Sequence, residues 1–220
     1  MSNSSLVSYT RISPNKSCPR NHKIDTITVH CVVGQLSVER IGEIFADSSR
    51  QASSNYAVGA DGRVGMYVEE KDRAWCSSNR ENDNRAITIE TACDPTYPYA
   101  VNDIAYSSLI NLLVDICKRN GIKKLEWYDN PGLIGQPEKQ NMTLHRWFAA
   151  TECPGQWLYE HMGDIASEVN NELVEPAKPE EGVLFRVQVG AFHHRDNAER
   201  LRDELKGKGY NDAFIVKGSE

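Results

Sequence analysis

Apolar residues along this chain recur with two different periods, and the breaks fall at glycines, prolines and charged clusters. Residues 24–33, IDTITVHCVV, are β-branched and apolar enough to predict a buried strand. Ser37 then opens SVERIGEIFAD, whose Ile41, Ile44 and Phe45 share one helical face. Residues 55–68 predict a hairpin around Asp61-Gly62, a pair that supplies the positive φ angles of a tight turn. AITIETA, residues 86–92, predicts another apolar strand. Residues 103–120 carry Leu109, Leu112, Leu113, Ile116 and Cys117 at helical spacing and stop at Gly121. A last helix is predicted from about residue 154 to 170, with Pro154 suited to its first turn. This alternation predicts an α/β domain with a central mixed β-sheet flanked by helices.

The pattern changes at residues 173–182, LVEPAKPEEG, where prolines and charges predict a semi-extended linker. It divides a large domain over 1–172 from a module over 183–220. The module reads as strand, helix, strand, a small βαβ half-module. Asp196 and Glu199 suit the helix start, and Ala198, Leu201 and Leu205 form its apolar face.

Composition is that of an ordinary globular protein, with 220 residues of which 40% are hydrophobic. The net charge of −6 argues against a nucleic-acid partner, because tracking phosphates requires clustered cations. The module holds seven basic and six acidic residues, so the acidity belongs to the large domain and linker. No apolar run is long enough to predict membrane insertion. The first residues lack a basic region followed by an apolar stretch, so no signal peptide is expected and synthesis is placed in the cytoplasm.

Six cysteines stand at 18, 31, 76, 93, 117 and 153 with no CxxC pair, which removes zinc fingers and thioredoxin-like sites. Buried free thiols account for most of them. His30 lies inside an apolar strand, where an imidazole is either a hydrogen-bonded core residue or a ligand. His145 is followed eight residues later by Cys153 and then Pro-Gly. Two histidines and a cysteine from separate segments could hold zinc with a fourth position open to water, which is what hydrolytic zinc requires. Spacing alone does not choose between these readings.

TVHCVV, SSNYAVGADGRV, AITIE and TLHRWFAATECPG occur in this order. Together they resemble the zinc-dependent N-acetylmuramoyl-L-alanine amidases related to phage lysozyme-type amidases and peptidoglycan recognition proteins. The resemblance covers roughly residues 20–170. It implies Zn2+ as cofactor with His30, His145 and Cys153 as its ligands. It also implies Glu90 as the carboxylate that moves the proton, and Thr151 as a hydroxyl that steadies the oxyanion or substrate. Asn55 and Trp75 are implied on the substrate side, although a core position suits Trp75 equally.

Two positions depart from the family pattern. Some members carry a catalytic tyrosine seven residues before the turn aspartate, where this chain has Ser54; Tyr56 is therefore given no catalytic role. Cys76 stands where relatives commonly have histidine. FRVQVGAF, NAERL and GYNDAFIV resemble the sporulation-related repeat, a peptidoglycan-binding module, of which about half is present. That half is expected to pair with its copy in a homodimer or to pack on the larger domain. The resulting expectation is an endolysin-type peptidoglycan hydrolase that cuts between N-acetylmuramic acid and L-alanine, reaching the wall after holin-type release. A non-catalytic peptidoglycan receptor and a zinc peptidase acting within the stem peptide are the alternatives.

Overall fold

The computed structural model describes residues 2–174 and 187–217. The chain divides into two compact units, Met1–Glu175 and Pro176–Glu220. In the first, β1 (Val7–Thr10) and β2 (Lys16–Ser17) precede β3 (Thr26–Val33), α1 (Val38–Ala46), β4 (Tyr56–Val58) and β5 (Val64–Met66). There follow β6 (Arg73–Ala74), α2 (Arg80–Arg85), β7 (Ala86–Cys93), α3 (Asp103–Asn120), β8 (Met142–Thr143) and α4 (Gln156–Leu173). The second unit contributes α5 (Arg195–Gly207).

Six strands form one mixed sheet in the order β1-β5-β4-β7-β3-β8, and β2 pairs with β6 apart from it. Only β4 and β5 run antiparallel within the large sheet, across the predicted Asp61-Gly62 hairpin. The central strands are two-faced rather than apolar throughout, because successive side chains point to opposite sides. Ile27, Val29, Ile87 and Ile89 face Leu109, Leu112, Leu113 and Ile116 of α3 and Leu158, Met162, Ile165 and Val169 of α4. This apolar layer is the main core. Thr28, His30, Thr88 and Glu90 fall on the opposite face, where α1 covers only one end through Ile41 and Phe45 against Ala57 and Tyr67. The uncovered remainder of that face carries the polar residues.

Helix ends follow the capping chemistry. Ser37 and Asn102 accept from the Arg40 and Ala105 backbone N–H groups, and Gly121 ends α3 with φ 70°. α4 runs 156–173 rather than 154–170. Gly155 caps it at φ 85°, leaving Pro154 outside and carrying the helix into the expected linker. α2 escapes the periodicity because RENDNR has no apolar stripe; Asn79 starts it by accepting from the Asn82 N–H at 2.9 Å.

In the second unit the helix is present, but the strands expected on either side have no ladder partner among the described residues. Strand backbone needs a neighbour for its N–H and C=O groups, and a piece this short supplies none. Val187, Val189, Phe192, Phe214 and Val216 are accordingly exposed. The expected linker lies outside the described residues from position 175 onward, as do residues 183–186 of the expected module.

Arg20 ties the segment before β3 to the rest of the sheet. It is buried, and its guanidinium donates to the carbonyls of Glu70 (2.6 Å), Asp72 (3.0 Å), Asn84 (2.9 Å) and Ala86 (3.1 Å). Arg20→Met is expected to lower unfolding free energy by at least about 1–3 kcal/mol, the cost of leaving a buried carbonyl without its donor. Urea denaturation followed by circular dichroism measures it.

Candidate metal centre

The polar sheet face is where three separated segments meet. His30 is opposite Glu90 in the parallel β3–β7 register. On its other side β3 pairs with β8, Thr28 against Thr143, so the chain two residues further on brings His145 beside His30. Their ring centroids are 5.2 Å apart. Cys153 arrives from the loop before α4, its Sγ 3.3 Å from His30 Nδ1. One ligand atom from each of His30, His145 and Cys153 lies within 4.8 Å of the others.

Two side chains fix the cysteine loop. Thr151 Oγ1 accepts from the Cys153 N–H at 3.2 Å. Arg146 donates through Nε to the Cys153 carbonyl at 3.3 Å and through its terminal nitrogen to that of Glu152. Its guanidinium lies over the Tyr159 ring at 4.7 Å. Gly155 is required behind the loop: a Cβ there would stand 2.9 Å from the Tyr99 Cβ, on a backbone at φ 85°.

A second loop, 76–79, braces His145. The Asp83 carboxylate accepts from the backbone N–H of Cys76 (3.1 Å) and Ser77 (3.0 Å) and from Ser77 Oγ (2.6 Å). Ser78 is thereby held at φ 59°, with its Oγ 3.1 Å from His145 Nε2. With Nε2 so engaged, His145 has Nδ1 left for an ion. Asn82 bonds both Thr28 (3.0 Å) and Thr143 (2.9 Å), joining this loop to the two strands that carry the histidines.

The donor set suits zinc. Zinc bonds of about 2.0–2.1 Å to nitrogen and 2.3 Å to sulfur give tetrahedral edges of about 3.5 Å, near the observed His30–Cys153 separation. His30 is 1% exposed, and burial together with the neighbouring His145 pushes its pKa down to about 3. Burial lowers that of His145 too. Both rings are therefore neutral near pH 7, the form a metal requires. His30 Nε2 and Glu90 Oε2 are buried with no hydrogen-bond partner among the described residues. Burial pushes Glu90 up to about 7, which places a proton acceptor and donor at neutral pH.

The other predicted residues are distributed differently. Thr151 is exposed and lines a cavity of about 250 Å³ with Tyr97, Tyr99, Arg146, Glu152 and Gln156. Trp75 is half-buried, its indole N–H donating to Ser17 Oγ at 2.9 Å. Asn55, implied on the substrate side by the resemblance, is fully buried. Its amide donates to the Val68 carbonyl at 3.2 Å and accepts from the Thr88 N–H at 3.2 Å. Tyr56 is also in the core, donating to Glu70 at 2.8 Å. All six cysteines are free thiols. Ser78, Asp83 and Arg146 escaped the sequence reading; the only local signal was Asn79, three residues before Asn82, as a cap.

These features define an α/β domain with a His-His-Cys cleft, and the comparisons place it. The chain belongs to the N-acetylmuramoyl-L-alanine amidase family, whose profile matches residues 20–156. A SPOR-domain profile matches residues 165–219. Among solved structures, a mutant of PlyL superposes with a TM-score of 0.54 at 16% identity, over 73% of this chain and 96% of that one. Peptidoglycan recognition protein-LE in complex with tracheal cytotoxin gives 0.54 at 16% identity, over 73% and 94%. The endolysin amidase LysCS from Clostridium intestinale URNW gives 0.52 at 20%, over 74% and 93%. At these identities the likeness is one of fold. No curated protein matches the chain.

The raised Glu90 pKa sets a sign for stability in metal-free protein. The folded state keeps this proton to about pH 7, whereas an unfolded carboxyl releases it near 4.5. Stability is therefore full at acid pH and lost as pH climbs through 7. Glu90→Gln is expected to raise the thermal midpoint at pH 8 and change it little at pH 4, as scanning calorimetry would record.

Proposed function

We propose that this protein is a zinc-dependent peptidoglycan hydrolase that cleaves the amide between N-acetylmuramic acid and L-alanine. One observation carries the reading: two neutral imidazoles and a thiol converge beside a buried carboxylate that has an unpartnered oxygen. His30, His145 and Cys153 hold the ion in this reading. Zinc there supplies Lewis acidity, polarising an acyl oxygen and making water acidic near neutral pH. Glu90 accepts the proton of the attacking water and returns it to the leaving amine of L-alanine. Thr151, which lines the cavity, donates its hydroxyl to the developing oxyanion or to the substrate. Trp75 offers its ring face to sugar or peptide.

In the same reading, residues 1–172 form the catalytic domain, 173–182 a linker and 183–220 a peptidoglycan-binding module. The protein then acts on the cell wall. Among the described residues no helix is long and apolar enough to cross a membrane. Pairing of two copies through the second unit has no observation behind it and forms no part of this reading.

Digestion of purified peptidoglycan followed by end-group analysis tests the bond. New L-alanine amino termini with free lactyl carboxyls are expected; new amino termini only inside the stem identify a peptidase, and no cleavage identifies a receptor. Cys153→Ala is expected to lose bound zinc and turnover together, measured by elemental analysis and wall clearing. Glu90→Gln should retain zinc while turnover falls by about 10²–10⁴-fold, the usual contribution of general acid–base catalysis.

A further inference from the structure

Cys76 has no part in the proposed reaction, yet it faces the cleft. One ligand atom from each of Cys76, Glu90 and His30 lies within 4.8 Å of the others, with Cys76 Sγ 4.0 Å from Glu90 Oε1. His30 Nε2 and Glu90 Oε2 are two of the three buried side-chain atoms with no partner among the described residues, the third being Thr91 Oγ1. The backbone of Cys76 is fixed by Asp83, so the thiol is held in place before any ligand arrives. Thiolate, imidazole and carboxylate together make a donor set for zinc or its softer congener cadmium, rather than for magnesium or calcium.

We propose that Cys76, Glu90 and His30 form a second, inhibitory seat for a thiophilic divalent ion, which disables turnover by occupying the Glu90 carboxylate. The seat rests on the functional reading above, since Glu90 must be the proton carrier for its capture to matter. His30 Nδ1 lies beside Cys153, which leaves Nε2 for this second ion. Filling the seat displaces the Cys76 thiol proton, any proton held by Glu90 and, with both seats full, the His30 ring proton; all of them pass to buffer. No electron changes hands. Excess zinc therefore acts as an inhibitor of an enzyme that requires zinc.

The test uses the full chain with exposed Cys18 replaced by serine, stripped of metal and titrated with Cd2+, reading the ultraviolet thiolate-to-cadmium charge-transfer band. Two cysteine-dependent steps are expected, of which Cys76→Ser or Cys76→Ala removes one and Cys153→Ser the other. In parallel, each zinc-loaded protein is assayed on peptidoglycan with added Zn2+ and compared with its own rate at one equivalent. Turnover of the Cys18→Ser protein should fall about 10²–10⁴-fold, the worth of a general base, while both Cys76 variants hold their rates. Equal step counts and equal inhibition with and without Cys76 overturn the second seat. Failure of the first seat would read differently: the step removed by Cys153→Ser would be missing, whereas the Cys76-dependent step would remain.

Discussion

The direct register of His30 against Glu90 across β3 and β7 is the constraint on which the rest of the site depends. Adjacent parallel strands lie about 5 Å apart, so residues in register on one face are neighbours without help from loops. Here the neighbours are an imidazole and a carboxylate, each with an orphaned atom, on a sheet whose other face is sealed by α3 and α4. A one-residue slip of β7 would send Glu90 into Leu and Ile side chains and bring an apolar residue to His30. The apolar layer prevents that slip. Packing on one face thus enforces chemistry on the other.

What the strands do not supply, a lattice of polar side chains does. Asn82 holds Thr28 and Thr143, Asp83 holds the loop through Cys76 and Ser77, and Ser78 reaches His145 from a left-handed backbone. Arg146 closes the remaining side by gripping two carbonyls of the cysteine loop. In a cavity of low polarizability these groups set orientation more than net stability, because each has exchanged a water bond for a protein bond. A metal ligand needs such bracing, since its direction matters as much as its presence.

The long elements were legible in the chain because their signals are local. The turn at Asp61-Gly62, the α3 stripe from Leu109 to Cys117 and its stop at Gly121 each follow from residues within a few positions. The candidate ligands became legible through the order of four short segments, not through spacing. The two-faced nature of β3 and β7 was concealed, because threonine counts equally as a β-former and as a polar group. The second loop was invisible for a different reason: Asp83 acts on backbone N–H groups six and seven residues away, and Ser78 reaches a histidine 67 residues on, which no periodicity reveals. The amide of Asn55 completes a hydrogen-bond set between hairpin and strand, a role that its place in the segment SSNYAVGADGRV does not reveal. In the second unit the residues on either side of the helix have strand propensity, yet propensity without a pairing partner does not make a strand.

The division of the sheet into a dry face and a wet one also separates two kinds of heritable change. Substitutions among the fully buried residues of the α3–α4 layer act first on folding free energy, because those residues pack against the sheet face opposite His30 and Glu90. Substitutions on the wet face alter charge and ligation while leaving the packed layer intact. A lineage carrying this fold can therefore accumulate stability on one side and draw on it when the other side changes its chemistry.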